Sequence, residues 1–287
     1  MNWRLKCLAF RLLDVIPGGD ALHAFAQRHV TSRYFRTLTD ANIESHRYHV
    51  DNYLKLGRTG VALEFGAGGS LSAALMLSAA GATVYAYDIA RLANVERINH
   101  VIRTYRARGL PGDWRELDSM ADLERRYRIR YVAPGDVRAT GLPSGSVDYM
   151  YSMSCLEHIP VDQLPRIMAE LRRIASPDAL MGFGIGYYDH YATADRSITK
   201  CNFYRYSDEA WRFWNPPRQH QNRLRHSDFE RLFGDYAILD NVRMIADESV
   251  LDGLPIDPKF SRYDKRDLLT LSGRFLLRPA PSAPRVQ

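Results

Sequence analysis

Glycines and acidic residues between positions 63 and 88 are spaced in a way that suits a nucleotide-like ligand. The pattern is Glu64-x-Gly66-x-Gly68-Gly69, and it follows directly on an apolar run with the composition of a strand. Glycines at the end of a strand let the backbone approach a ligand closely, and the amides that open the next helix point into the same space. The alternative is a tight turn that packs helix on strand; the acidic residues at both ends favour ligand binding.

The two acidic residues of this segment have different expected roles. The carboxylate of Glu64 can meet a cationic amino-acid group through water or backbone amides. Asp88 ends the next strand, where its two oxygens can accept both hydroxyls of a ribose, and Ile89 beside it belongs to the same expected cofactor site. A dinucleotide fingerprint needs a third glycine at position 71, which is leucine, so NAD and FAD are disfavoured.

Two histidines that follow later strands are candidate general bases. His158 lies in the stretch LEHI after the fourth strand, and His190 follows the fifth, where Asp189 could orient it. The alternatives are that His158 fixes the geometry of its loop and that His190 faces solvent. We expect no metal site, because the adjacent Glu157 and His158 cannot easily chelate one ion together and no third ligand is evident.

An insert of about forty residues interrupts the alternation of strands and helices after Gly186. It is too long for an ordinary loop, and such inserts usually shape a substrate pocket or a lid. Its aromatic and cationic side chains could recognise a sugar or a phosphate through ring stacking and bidentate contacts. They could equally form the aromatic core of the insert. The candidate substrate-binding residues are Tyr204, Trp211 and Arg223.

The elements that must position these residues alternate between strand and helix. The predicted fold is α/β, a Rossmann-like doubly wound sheet of seven mostly parallel strands, with an N-terminal helical extension and the insert after strand five. Such sheets bind ligands at the carboxyl ends of their strands. The predicted strands are 61–65, 83–87, 130–133, 147–152, 179–185, 236–245 and 268–277; the predicted helices are 71–80, 95–105 and 162–175, with a short helix opened by a capping box at Ser227 and Glu230.

Domain boundaries follow from the same patterns. We assign residues 1–56 to an N-terminal helical extension, 57–278 to the main domain with its insert at about 186–226, and 279–287 to a flexible tail. The first helix places Leu5, Leu8 and Leu12 on one stripe beside basic residues. This stripe could make a peripheral contact with an anionic membrane; packing against the main domain is the favoured alternative.

The composition suits a globular protein with a sizeable core. The chain has 287 residues, of which 46% are hydrophobic, and a formal net charge of +6, which leans towards an anionic substrate or surface. We expect no nucleic acid partner, because the basic residues are spread among acidic ones. The three cysteines are too far apart in sequence for a disulfide framework or a zinc cluster, and no apolar run approaches the roughly 20 residues of a membrane span. A cytoplasmic protein is predicted, and its oligomeric state stays open.

The glycine loop and Asp88 resemble motif I and the following acidic position of the class I S-adenosylmethionine-dependent methyltransferases. The stretch GDVRATGLPSGSVDYMYSMSCLEHIP resembles the third and fourth motifs of that family. The resemblance implies that Asp136 meets the amino group of adenine and that Val137 supplies a backbone contact. Asp136 could instead cap a turn. The resemblance covers about residues 61–185 and the final strand pair.

This resemblance implies transfer of a methyl group from S-adenosylmethionine to an oxygen atom of a small-molecule or glycan acceptor. The stretch LEHI resembles enzymes that methylate small molecules. The stretches YAYDIARLANVERINHVI and NFYRYSDEAWRFWNPPRQHQNRLRHSDFERLF are similar to methyltransferases associated with bacterial polysaccharide and O-antigen loci. The alternatives are a catalytically silent, cofactor-binding partner subunit and a Rossmann NAD-dependent oxidoreductase.

Overall fold

A computed structural model describes residues 1–19, 22, 23, 25 and 38–279 of the chain. The predicted tail, apart from Pro279, and much of the stretch between the first helix and residue 38 lie outside these ranges. Seven strands form one sheet: β1 (Val61–Phe65), β2 (Thr83–Tyr87), β3 (Ile129–Val132), β4 (Val147–Met153), β5 (Ala175–Gly186), β6 (Tyr236–Ile245) and β7 (Thr270–Pro279).

The strand order is β3-β2-β1-β4-β5-β7-β6. Strands β1 to β5 pair in parallel, and β7 is antiparallel to both of its neighbours. The chain adds strands outward from β1 on one side and starts again at β4 on the other, so the topological switch lies between β1 and β4. A crevice forms at the carboxyl ends of such a strand pair, because the two connections leave in opposite directions. The predicted fold class is confirmed.

Helices cover both faces of the sheet. Along β1, Ala62 packs in the apolar core on one face, whereas Leu63 and Phe65 pack in the core on the other face. Because side chains alternate along a strand, Glu64 lies on the same face as Ala62. The helices are α1 (Trp3–Val15), α2 (Asp40–Leu54), α3 (Ser72–Ala79), α4 (Val95–Ala107), α5 (Ala121–Tyr127), α6 (Leu164–Ile174), α7 (Asp208–Trp214), α8 (His226–Leu232) and α9 (Lys265–Leu269).

A third apolar cluster joins α1 to the insert. Trp3 and Cys7 are buried in it, and Arg11 donates hydrogen bonds to the backbone carbonyls of residues 212 and 213. The first helix therefore packs on the main domain, as favoured from the sequence, but not through its leucine stripe. Leu5, Leu8 and Leu12 are 64%, 46% and 59% exposed. Every helix in the described ranges falls short of the length and apolarity that a membrane crossing requires.

The predicted capping box of the short helix after the insert is wrong. Helix α8 begins at His226, so Ser227 lies inside its first turn. The backbone amide of Arg225 donates a 2.8 Å hydrogen bond to Asp228, and the Ser227 hydroxyl donates to Asp267 instead. A tertiary contact has thus taken the side chain that the sequence pattern assigned to the cap.

Candidate active site

A cavity of about 350 Å³ opens at the carboxyl ends of β1 and β2, beside the loop that follows β4. It lies at the switch point of the sheet, where the fold predicts a ligand. Its wall is mostly apolar, with Phe65 and Tyr87 at the strand ends and Ile167 from α6. It also includes five residues of the predicted cofactor site: Gly66, Asp88, Ile89, Asp136 and Val137.

Two glycines of the loop after β1 adopt left-handed backbone conformations, with φ angles of +68° at Gly66 and +65° at Gly68. A Cβ atom on Gly66 would lie 2.5 Å from Sγ of Cys155, whereas the space around Gly68 is open. Gly69 packs away from this space, since a Cβ atom there would lie 3.0 Å from the carbonyl oxygen of Leu92. The tight-turn alternative therefore describes Gly69, and the backbone at Gly68 stays accessible to a ligand.

The carboxylate of Asp88 ties the glycine loop to the end of β2. One oxygen accepts a 2.8 Å hydrogen bond from the amide of Gly68, and the other accepts a 2.9 Å bond from the amide of Ala90. Each oxygen keeps a second lone pair that can accept a hydroxyl. The side chain is only 8% exposed, so it lies on the wall of the cavity and is held there by two backbone groups.

Asp136 caps the helical turn that starts at Val137. It accepts a 2.8 Å hydrogen bond from the amide of Arg138 and forms a 2.6 Å ion pair with the same residue. Hydrogen bonds from the Arg138 guanidinium hold the pKa of Asp136 below its ordinary value. The capping alternative therefore describes its contacts within the chain, while its position on the cavity wall leaves it within reach of a ligand.

Glu64 lies beneath the glycine loop, in the core rather than on the cavity wall. Its side chain accepts a 3.0 Å hydrogen bond from the hydroxyl of Tyr151, and burial raises its pKa to about 8. Nearby, His49 of α2 pairs with the hydroxyl of Tyr149 at 2.8 Å. The carboxyl group is therefore paired within the core, beside a second buried polar pair between α2 and the sheet. Its role towards a cationic ligand remains a prediction.

The loops after β4 and β5 bring Glu157, His158 and His190 together. One potential ligand atom from each residue lies within 4.8 Å of the other two, and the two imidazole rings are 4.8 Å apart. Oε1 of Glu157 accepts a 3.0 Å hydrogen bond from the amide of Gly186. The sequence offered no third ligand beside Glu157 and His158; the tertiary structure supplies His190.

Hydrogen bonding and burial set the protonation states of the two histidines. Nδ1 of His158 is 2.7 Å from the carbonyl oxygen of His220; because a carbonyl can only accept, this nitrogen carries the proton of the neutral ring and Nε2 keeps its lone pair. Burial lowers the pKa of His158, and burial together with His158 lowers the pKa of His190 to about 3. Both rings are therefore neutral near pH 7, and the lower pKa makes His190 the weaker base of the two if His158 stays closer to its ordinary value.

Asp189 does not orient the ring of His190, contrary to the sequence-based suggestion. Its two oxygens accept hydrogen bonds from the amide of Tyr191 at 2.8 Å and from the side chain of Asn202 at 3.0 Å. The position of His190 is set through its backbone, whose amide donates a 3.3 Å bond to Gln221. Asp189 thus anchors the start of the insert.

The three candidate substrate-binding residues lie in the core of the insert. Tyr204 is fully buried, and its hydroxyl donates to the carbonyl oxygen of Leu268. Arg223, 4% exposed, donates to two backbone carbonyls and to Asp208 and lies over the ring of Trp211. Because these polar groups are paired and the rings are covered, the aromatic-core alternative replaces the substrate-binding interpretation.

A second cleft, of about 370 Å³, lies where α2 meets the carboxyl ends of β4 and β5. Its wall includes Glu44 and Ser45 of α2, Tyr188, and Arg274 of β7. Gly186 also borders this cleft and its amide donates a hydrogen bond to Glu157, whereas His158 lines the first cavity. Sequence reasoning missed these residues, because no local motif links α2 to β7.

Comparison with known protein families identifies the family of this chain. A family model described as a methyltransferase domain matches residues 34–236. The chain belongs to this methyltransferase family. The match spans the sheet from β1 to β5 and the insert, and it confirms the predicted class of enzyme, a methyltransferase dependent on S-adenosylmethionine. A search of curated protein sequences finds no significant match.

Several solved methyltransferase structures are similar to this chain at low sequence identity. Magnesium protoporphyrin IX methyltransferase from Synechocystis PCC 6803 with bound S-adenosylhomocysteine has a TM-score of 0.50 and 12% identity, over 89% of this chain and 95% of that chain. Geranyl diphosphate C-methyltransferase from Streptomyces coelicolor A3(2) has a TM-score of 0.48 and 12% identity, over 83% and 80%. The 1,6-didemethyltoxoflavin-N1-methyltransferase of Burkholderia thailandensis has a TM-score of 0.47 and 13% identity, over 93% and 92%. At 12% identity the likeness to the Synechocystis enzyme shows the fold alone.

Proposed function

We propose that this methyltransferase moves a methyl group from S-adenosylmethionine to an oxygen atom of a small-molecule acceptor of the sugar or glycan type. The observation that carries the proposal is the cavity at the switch point, whose wall holds both Asp88, tied to the glycine loop at Gly68, and a neutral imidazole at His158. The acceptor class is supported by the resemblance to methyltransferases of polysaccharide loci.

In this proposal each part of the cavity wall binds one part of the cofactor. Asp88 accepts the ribose hydroxyls, and Asp136 accepts the amino group of adenine. The apolar side chains of Ile89 and Val137 cover the adenine ring. The amino-acid portion lies over the loop at Gly68, above the buried carboxyl group of Glu64.

The reaction needs an oxygen nucleophile aligned with the methyl carbon. The cofactor supplies a methyl group on a positively charged sulfur; the new bond forms from oxygen to carbon as the carbon–sulfur bond breaks. Much of the acceleration comes from positioning, but an alcohol is a poor nucleophile until it loses its proton. Nε2 of His158 accepts that proton in this scheme, with His190 as the second candidate, and the products are a methyl ether and S-adenosylhomocysteine.

We assign the acceptor to the second cleft. Tyr188 and Arg274 line it together with the carboxylate of Glu44, and such a mixture of an aromatic ring with charged groups suits a polar, ring-shaped acceptor. His158 lines the cofactor cavity, and Gly186, whose amide donates to Glu157, lines the second cleft. The proposal requires the acceptor oxygen to extend from the second cleft to Nε2 of His158 and to the methyl group in the cofactor cavity.

Calorimetric titration with S-adenosylmethionine and S-adenosylhomocysteine, with NAD as a control, tests the cofactor site. Micromolar binding of either sulfur ligand supports the proposal, and a mass-spectrometric screen of nucleotide sugars, lipid-linked sugars and phenols then identifies the acceptor. Binding of NAD alone would support the oxidoreductase alternative. Cofactor binding with no methylated product, together with loss of a partner enzyme's activity when this chain is deleted, would support the silent partner subunit.

Peripheral membrane contact through α1 is a second proposal. It is supported by the exposed stripe of Leu5, Leu8 and Leu12, beside the basic side chain of Arg4. We expect the protein to sediment with vesicles of phosphatidylcholine and phosphatidylglycerol, and the variant Leu8→Asn to sediment less. The variant Leu239→Asn, at a leucine 48% exposed on β6, should behave as the wild type; equal loss in both variants would contradict the proposal.

A further inference from the structure

A buried carboxylate oxygen without a partner lies in the loop after β4. Glu157 is 2% exposed; its Oε1 accepts from the amide of Gly186, but Oε2 has no hydrogen-bond partner within the described ranges. Native structures pair nearly all buried polar atoms, so an unpaired one requires an explanation. Burial by itself does not provide it, because the equally buried Glu64 accepts a hydrogen bond from Tyr151.

Two imidazoles converge on this carboxylate. The potential ligand atoms of Glu157, His158 and His190 lie within 4.8 Å of one another. Nε2 of His190 is also buried and has no partner in the part of the chain that the structure describes. His158 holds its proton on Nδ1, against the carbonyl oxygen of His220, which leaves the lone pair on Nε2. One carboxylate oxygen and two imidazoles thus meet in one place.

We propose that Glu157, His158 and His190 bind a divalent transition-metal ion between the cofactor cavity and the second cleft. Two imidazoles with one carboxylate suit zinc, cobalt, manganese or iron(II), whereas magnesium and calcium prefer ligand sets made wholly of oxygen. Bonds of about 2.0–2.2 Å bring ligand atoms closer together than 4.8 Å, so the three side chains move inward when the ion binds. Three protein ligands leave positions open for a substrate oxygen.

The surroundings of the three residues are those of a supported metal site. Metal-bound histidines usually donate their other N–H group to a carbonyl or carboxylate, as His158 does to His220. The amide of Gly186 fixes the second oxygen of Glu157. The amide of Asn222 donates a 2.8 Å hydrogen bond to the backbone carbonyl of Glu157, which fixes the loop itself. Two of the three ligands, His158 and Glu157, are therefore held by backbone groups before the ion binds, and the ring of His190 completes the set.

The position of the ion gives it a role in methyl transfer, and this role rests on the proposed function, whereas binding of the ion does not. A hydroxyl bound to a divalent cation loses its proton more readily. The O–H bond breaks with the proton passing to solvent water, the O–CH3 bond forms and the C–S bond breaks; no electrons are exchanged with the metal. The ion then takes the place of a free imidazole base.

Binding is tested by titrating the chelator-treated full-length protein with cobalt(II) and recording the visible absorption, and by calorimetry with zinc, manganese and magnesium. We expect one cobalt equivalent with an absorption band typical of nitrogen and oxygen ligands. The variants Glu157→Gln and His190→Ala should bind at least about 100-fold more weakly. His220→Ala is the matched control, since it removes a neighbouring imidazole but keeps the carbonyl group that holds His158.

The outcomes separate this inference from the proposed function. No cobalt binding by the wild type, or equal binding in all variants, overturns the metal site even if S-adenosylmethionine still binds. Binding of the sulfur cofactor by Glu157→Gln and His190→Ala shows that both remain folded, so their loss of cobalt supports the site. Methyl transfer that survives complete removal of metal overturns the activating role, while a tight, ligand-dependent cobalt site still supports binding.

Discussion

Two buried glutamates, one on each side of the switch point, have different surroundings. Glu64 on β1 and Glu157 after β4 are 4% and 2% exposed, and burial raises the pKa of each to about 8. Glu64 accepts a hydrogen bond from Tyr151, whereas Oε2 of Glu157 is unpaired beside two histidines. Burial alone therefore does not distinguish a paired acid from an unpaired one; the neighbouring side chains do. The glycine-loop region is internally paired, and the loops after β4 and β5 present unpaired ligand atoms.

The largest expected effect tests the loops after β4 and β5, which present the unpaired ligand atoms. His158→Ala should lower turnover by about 10²- to 10⁴-fold, the usual contribution of a proton acceptor, while leaving the affinity for S-adenosylmethionine nearly unchanged. Steady-state kinetics and calorimetry measure the two quantities. His100→Ala on α4, outside both cavity walls, is the control. Unchanged turnover would remove His158 from the mechanism. The unpaired atoms of the loops after β4 and β5 would then have no demonstrated part in catalysis.

The second effect tests whether Trp211 of the insert binds the acceptor or belongs to the aromatic core. Trp211→Ala should lower the free energy of unfolding by about 3–5 kcal/mol, since it empties an aromatic core position, and should leave the KM for the acceptor unchanged in the folded fraction. Urea denaturation and kinetics provide the readouts. Phe213→Ala, at a side chain 49% exposed on the same helix, should destabilise far less. A raised KM without loss of stability would restore the substrate-binding role of Trp211.

The third effect tests the glycine-loop region, where Asp88 is hydrogen-bonded to the backbone. Asp88→Ala should weaken S-adenosylmethionine binding by about 1.5–3 kcal/mol, or about 10- to 150-fold, because charge-assisted hydrogen bonds to the ligand are lost. Cobalt binding at the histidine cluster should not change. Asp113→Ala, at an exposed aspartate, is the control for general loss of negative charge. Equal cofactor affinity in the wild type and Asp88→Ala would show that the cavity binds S-adenosylmethionine in another way.

The smallest effect concerns the two glutamates themselves. Between about pH 6.5 and 8 the folded protein keeps protons on Glu64 and Glu157 that the unfolded chain has lost, so the free energy of unfolding falls as pH rises. Each group contributes up to about 1.4 kcal/mol per pH unit. Glu64→Gln should reduce the slope by about half.

Urea denaturation at several pH values across this window measures the slope. The measurements should stay above about pH 6.5. Below this pH, buried histidines such as His46, whose pKa is lowered, make the free energy of unfolding rise with pH. Glu209→Gln, at an exposed glutamate on α7, is the control and should keep the full slope. A slope that Glu64→Gln leaves unchanged would contradict the view that both carboxyl groups are protonated in the folded state.

Local patterns predict some elements better than others for physical reasons. Strands β1 and β2 are short apolar runs beside glycine, and their predicted bounds agree with the structure. Helix α5 escapes prediction, because its sequence ADLERRY is mostly charged and its start is stabilised by a buried acidic side chain instead of an apolar stripe. Asp122 is buried there and accepts hydrogen bonds from the amides of Asp118 and Ser119, which no apolar periodicity reveals.

The sequence by itself determined the alternation of strands and helices, the glycine loop and the acidic residue after β2, because each depends on neighbours within a few positions. Only the tertiary structure decided which aromatic side chains are core and which histidine joins Glu157. His190 reaches Glu157 because β4 and β5 are parallel neighbours whose carboxyl ends lie at one edge of the sheet. Such proximity arises from strand pairing between distant segments, and no local spacing of residues encodes it.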